Sequence, residues 1–197
     1  MTLTAHPRPS TSIRPKALLL ASATILAGLA LSGCSALGIE STYDKSTGHE
    51  FATGAEGKEQ QVLPAWVPDE ATNIKEIVRT TGNERILRMD HAGALPPGCV
   101  AIAETGKPTM AELAEGLELE DPAPMQEIAG RVESQYQTPL LSADWWPTGQ
   151  ENLTTHLCGK WWVSRDDSSL TAYAPELKGI AENILAEQAK AQRAKVD

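Results

Sequence analysis

The residues best suited to recognition crowd into one stretch, Asp144 to Ser164, DWWPTGQENLTTHLCGKWWVS. It holds four of the five tryptophans of a chain with a single phenylalanine. Exposed indoles stack on sugar rings and anchor protein partners. Asp144, Gln150, Glu151, Asn152 and His156 add polar groups close by in sequence. Trp145, Trp146, Trp161 and Trp162 are therefore candidate ligand-binding residues. Burial competes with that role, because Trp is highly buried on average. Adjacent strand residues point to opposite faces, so neither pair places both rings on one side. At the second pair, one register joins Leu157, Trp161 and Val163, and the other joins His156, Cys158, Lys160 and Trp162. The first is more apolar and is expected to face the core, leaving Trp162 on the wetter face. Cys158 fits that register poorly. A bulge at Gly159, or a helix over the second face, resolves the conflict.

Catalytic chemistry is weakly signalled. His91 follows a strand-like run and is a candidate base, but no nucleophile accompanies it. The chain lacks GxSxG, SxxK, HExxH, a P-loop and GxGxxG. A pair of carboxylates for glycoside cleavage stays open, because acids are plentiful. His156 and Cys158 lie two apart with no CxxC or HxxxH beside them, so neither a metal nor a cofactor is expected.

The N-terminus has the layout of an export signal. Residues 1–16 are polar and basic, and residues 17–31, ALLLASATILAGLAL, carry no charge. The run ends at Leu31-Ser32-Gly33-Cys34. That tetrad resembles the lipobox of bacterial lipoproteins. The resemblance implies cleavage after Gly33, a diacylglycerol on the Cys34 sulfur and further acyl chains such as palmitate. Stable anchoring needs at least two hydrocarbon chains. Residues 1–33 are then a lipoprotein signal peptide, and the mature chain is a cell-surface protein lipid-anchored on the extracytoplasmic face of the cell membrane. Two alternatives compete: plain secretion, and an uncleaved anchor using the 23 uncharged residues between Lys16 and Glu40. The Ala-rich, acidic, Lys-poor mature chain is also similar in composition to uncharacterised lipoproteins of high-GC Gram-positive bacteria, a likeness that supplies no function.

With Cys34 committed to lipid, Cys99 and Cys158 are the remaining thiols, and exported cysteines usually pair. Closing a loop of about 60 residues stabilises by roughly 4 kcal/mol in the chain-entropy picture. Removing the leader takes the charged residues from 17 basic and 26 acidic to 14 basic and 26 acidic, a net −12. So acidic a domain is repelled by polyanions, which makes nucleic acid and anionic wall polymers poor partners unless a metal bridges them. The reading is a membrane-anchored binding or envelope-interaction module, leaning against catalysis. Its alternatives are a glycan-binding lipoprotein using exposed tryptophans and a cell-wall-directed hydrolase.

The elements that must carry these residues follow from periodicity. Residues 34–62 are rich in Gly, Ser, Thr and charge, and read as a flexible tether with a reach of roughly 30 Å; the alternative is an ordered strand around Glu50-Phe51-Ala52. Residues 63–197 form one extracytoplasmic domain. Residues 74–80 and 84–89 read as strands joined at Thr81-Gly82-Asn83, and residues 98–103 as a third. Thr109-Met110-Ala111-Glu112 is a capping box ahead of a stripe of Met110, Leu113, Ala114 and Leu117. A second short helix covers 125–135, with Met125, Ile128, Ala129 and Val132 inward. Residues 156–164 and 169–174 form a hairpin about Arg165–Ser168. The segment 176–195 is a helix with Leu177, Ile180, Ala181, Ile184 and Leu185 on one face. Its late bases, Lys190, Arg193 and Lys195, suit the helix dipole and read as a solvated end in preference to the alternative, a membrane contact. The expected fold is α+β: a small, mostly antiparallel sheet with two or three packed helices in a single domain.

Overall fold

The computed structural model describes residues 41–120 and 123–196. The leader, Leu31 to Cys34 and Asp121-Pro122 lie outside them. The fold is α+β, with a seven-stranded antiparallel sheet at its centre. Its first strand is β1, Ser46–Thr53, followed by helix α1, Gly54–Glu59. The strands β2 (Thr72–Arg79), β3 (Arg85–Asp90) and β4 (Cys99–Ala101) come next. Helices α2 (Met110–Glu120) and α3 (Met125–Glu133) lead to β5 (Gln135–Tyr136). After a 3-10 turn at Gln150–Leu153 come β6 (His156–Cys158), β7 (Trp161–Arg165) and β8 (Ser169–Ala174). The chain closes with β9 (Glu176–Leu177) and α4 (Lys178–Arg193). The main sheet runs β1-β2-β3-β8-β7-β6-β4, and β5 pairs with β9 in a small second sheet.

Both faces of the sheet are covered. All six residues of β8 are buried, as a strand between two packed layers requires. On one face Leu87, Met89, Trp161, Leu170 and Ala172 pack with Phe51, Ile74 and residues 62–71. On the other, Ile86, Leu157, Trp162 and Tyr173 pack beneath α2, α3 and the Leu141–Trp146 segment.

Three turn and cap readings and the cysteine pairing match the structure. β2 and β3 are joined through residues 80–84. At the α2 cap, Thr109 Oγ1 accepts from the Glu112 amide at 3.3 Å, and Glu112 Oε2 accepts from the Thr109 amide at 2.7 Å. The β7–β8 turn is held by Asp166 Oδ1, which accepts from the amides of Ser168 and Ser169 at 2.9 and 2.6 Å. The disulfide Cys99–Cys158 joins residues directly opposite each other on β4 and β6.

Part of the segment expected to be a tether is folded, at the place where the alternative reading set a strand. Residues 46–59 are folded as β1 and α1. β1 pairs with β2 from Ser46↔Arg79 to Thr53↔Thr72. Its backbone ladder, more than its side chains, secures it, since only Phe51 of this strand is buried. The glycines that suggest a linker are packing residues: a Cβ at Gly57 would lie 2.3 Å from Leu63 Cδ1, and one at Gly54 would lie 1.9 Å from the Pro68 carbonyl oxygen. Thr53 caps α1, accepting from the Glu56 amide, while Glu56 reaches back to the Ala52 amide.

The expected strand 156–164 is two strands. Gly159, at φ +58°, and Lys160 form a turn, so that Cys158 pairs with Trp161 and Leu157 with Trp162. A hairpin loop of two residues places its first central residue at positive φ, where Gly costs least. Several helical residues expected inward are exposed: Met110, Met125, Ala129, Leu177 and Leu185. Each helix rests on a narrower stripe: Leu113, Ala114 and Leu117 in α2, Ile128 and Val132 in α3, Ala181 and Ile184 in α4.

A buried ionic group pins the end of the sheet at which β1 begins. Arg79 lies 2.8 Å from Glu84 and 2.6 Å from Asp44. The second Glu84 oxygen accepts from the amides of Leu140 and Leu141. Glu176 accepts from the amides of Asn83, Glu84 and Leu177. Every carboxylate here has several donors, which is the condition for keeping charge inside a fold.

Candidate functional site

The structure separates the four candidate tryptophans. Trp161 and Trp162 are 2% and 1% exposed and lie on opposite faces of the sheet. Trp161 meets Trp66 edge-on at 5.8 Å, and Trp162 meets Tyr173 edge-on at 5.5 Å. The wetter face expected for Trp162 is in fact covered by α2 and α3. Trp146 is buried, and its half-buried neighbour Trp145 meets it edge-on at 6.3 Å. Three of the four rings are therefore core residues, and no two of them form a solvent-facing platform.

The polar residues named beside them are also dispersed. Asp144 and Asn152 are exposed, whereas Glu151 is buried and takes a hydrogen bond from the Asn152 side chain at 3.3 Å. His156 pairs with Thr155 Oγ1 at 2.9 Å, and burial together with Arg165 holds its pKa below the ordinary value. His91 is buried, with Nε2 3.3 Å from the Ala94 carbonyl oxygen. Among the described residues, no group of three or more His, Cys, Asp or Glu side chains converges to hold a metal ion.

Gln150 does line a site. The apolar part of the helix-covered face ends at Ile86, Tyr173 and Trp162. One pleat further along, the same face carries Arg88 on β3, Thr171 on β8 and Ser164 on β7. The ladder sets them in a row, with Arg88 opposite Thr171 and Thr171 opposite Ser164. With Gln150, Pro147, Leu153, Arg165 and Asp166 they line a cleft of about 240 Å³.

The hydrogen bonds in this cleft leave donors unspent. Gln150 Nε2 donates to Thr171 Oγ1 at 2.8 Å, so the Thr171 hydroxyl proton is left to give. Ser164 Oγ donates to the Gln150 carbonyl at 3.3 Å. Asp166 is already occupied: it accepts from both turn amides and from Ser169 Oγ at 2.7 Å. The Ser168 amide leads the causes that hold its pKa below the ordinary range, and the charge of Arg88 adds to them. The Arg88 guanidinium makes no side-chain hydrogen bond to any described residue. A planar guanidinium beside a free hydroxyl proton is chemistry for an oxyanion, above all a carboxylate. Pro147 and Leu153, the latter 55% exposed, offer an apolar wall beside it.

A second hollow, of about 350 Å³, lies between the start of α2 and the end of α3. Met110, Val132, Glu133, Gln135 and Lys178 are among its lining residues. Its charges are of both signs and it has no comparable set of unspent donors pointing one way, so the Arg88 cleft is the stronger candidate.

The buried acid of the opposite face stands apart from both hollows. Glu76 is 1% exposed, with one oxygen 3.3 Å from Arg85 Nη1 and the other without a hydrogen bond. Burial pushes its pKa up to about 7, against the opposing pull of Arg85. His49 lies opposite it on β1, with its own pKa lowered by burial and by Arg85.

Comparison with protein-family models, with curated proteins and with solved structures gave no match to this chain.

Proposed function

We propose that this protein is a lipid-anchored, extracytoplasmic binding module, tethered through Cys34, whose ligand site is the Arg88 cleft. The lipobox-like tetrad Leu31 to Cys34 supports the anchor. The Cys99–Cys158 disulfide is in keeping with an oxidising compartment. The observation that carries the binding reading is the Arg88 guanidinium, without a hydrogen bond among the described residues, beside the undonated Thr171 proton. The ligand class is a small molecule or peptide end that bears a carboxylate next to a short apolar group. Guanidinium and hydroxyl would hold the carboxylate, and Leu153 and Pro147 would cover the apolar part.

The test is calorimetric titration of the purified domain with N-acetyl-alanyl-alanine as the free acid and as its amide. The free acid is expected to bind and the amide to bind far more weakly. Arg88→Ala should abolish the difference without lowering the unfolding temperature, since Arg88 is exposed. Equal heats from acid and amide, or binding unaltered by Arg88→Ala, contradict the assignment.

A further inference from the structure

The point at which the described chain begins is fixed to α4. The Glu187 carboxylate accepts from Ser41 Oγ at 2.5 Å and from the amides of Thr42 and Tyr43 at 3.0 and 3.1 Å. Asp44 is gripped in turn by Gln188 at 2.9 Å and by Arg79 at 2.6 Å. Only seven residue steps separate Ser41 from Cys34. However they are arranged, seven steps reach at most about 25 Å, and a coil of that length averages roughly 15 Å. A folded unit of some 150 residues is roughly 40 Å across. The link is therefore too short for the domain to turn its far end to the surface that holds the anchor.

The ladder identifies which end is which. Ser46 lies opposite Arg79, and Arg85 opposite Ala174, so these residues mark the end where the tether enters. Thr53 lies opposite Thr72, and Asp90 opposite both Thr72 and Ser169, so these mark the other end. Arg88 and Thr171 belong to the far half.

We infer that the anchored domain is seated on the lipid surface by its Ser41–α4 end, with the Arg88 cleft turned away from the bilayer. The inference rests on lipid attachment at Cys34. The partner is the phospholipid headgroup layer that holds the anchor, and the short link, not net charge, brings this end to it. Asp44, Glu84, Glu176 and Glu187 are all engaged within the fold. Lys178, Lys190, Arg193 and Lys195 are exposed at this end, as are Glu133 and Glu182. The bases at the end of α4, read from sequence as a solvated end, gain a different role once residues 41–43 are fixed to the same helix.

The experiment uses the full-length protein recovered from membranes and reconstituted into phosphatidylcholine–phosphatidylglycerol vesicles. An amine-acylating reagent is applied and each lysine is read by mass spectrometry. Lys178, Lys190 and Lys195 are expected to label several-fold more slowly than in the detergent-released protein. Lys75, which lies opposite Arg88, should label at the same rate in both. A Gly-Ser insertion of about 20 residues after Leu37, which lengthens the average reach to about 30 Å, should restore labelling at the three protected lysines. Equal labelling of all four lysines on vesicles, or protection unmoved by the insertion, overturns the seating. The intact mass of the same sample reads the lipid on Cys34 independently. An unmodified Cys34 overturns the anchor itself and the seating with it, whereas a lipidated but unprotected protein overturns the seating alone.

Discussion

Cys158 and Trp161 face one another across the Gly159–Lys160 turn, and so lie on the same side of the sheet. One two-residue turn thereby settles the direction of three side chains. It sends Cys158 and Trp161 into the core formed with residues 62–71. It sends Trp162, one residue on, to the opposite face against Tyr173.

That turn depends on glycine. An L side chain at φ +58° costs about 1–2 kcal/mol, and a Cβ here would lie 2.4 Å from Glu120 Oε2. Moving the Glu120 side chain aside would also give up the bond its Oε2 accepts from the Lys160 amide at 3.0 Å. Gly159→Ala should lower stability by about 1–2 kcal/mol, read as a lower urea midpoint with an unchanged slope. An unchanged midpoint would contradict the turn.

The disulfide carries the outermost strand on its side of the sheet. β4 has three residues and pairs only with β6, and Cys99–Cys158 ties the two directly. The double variant Cys99→Ala/Cys158→Ala should lose about 2–4 kcal/mol. Hydrogen exchange should show β4 opening before β2, β3 and β8. Uniform exchange across all strands would show that the crosslink does not hold this edge.

Glu76 makes stability depend on pH. Its pKa rises from 4.5 in the unfolded chain to about 7 in the fold. The folded state therefore binds the extra proton, and stability is fully present below about 4.5 and is lost as pH rises through about 7. The loss amounts to as much as about 3 kcal/mol by pH 8. Glu76→Gln removes the titration and should raise the denaturation midpoint at pH 8 while changing little at pH 4.5. Chemical denaturation at both pH values checks this. A variant that is equally stabilised or destabilised at the two would contradict it.

Arg79 is a buried cation set between the buried carboxylates Glu84 and Glu176. Arg79→Ala leaves both acids without it and should cost about 3–5 kcal/mol. It should also loosen Asp44, and with it the segment clipped to α4. Limited proteolysis around residues 41–45 should therefore speed up more than cleavage elsewhere. A loss of stability without faster cleavage there would break the link between the network and residues 41–45.

Local rules explain what the sequence made legible. The α+β class, the β2–β3 and β7–β8 hairpins, the α2 capping box and the disulfide follow from turn residues, cap chemistry and cysteine number. The misreadings share a physical cause: tertiary contacts overrode composition. Gly54 and Gly57 read as linker residues, yet they are small because Pro68 and Leu63 press on them. Trp162 reads as half-wet because no local pattern reveals that α2 and α3 will cover its face. The Arg88 cleft was legible only through Gln150. Arg88, Ser164 and Thr171 are unremarkable strand positions until the register sets them in one row. Alternation of Ser169 and Thr171 along an otherwise apolar strand was the available signal.

The account rests on the anchor at Cys34, and the most direct test is the intact mass and N-terminus of the protein taken from the membrane fraction of its native host. The account predicts a mature chain that begins at Cys34 and carries a diacylglycerol on its sulfur. An unmodified chain that keeps residues 1–33 would contradict it, and would return Cys34 to the pool of thiols able to pair with Cys99 or Cys158.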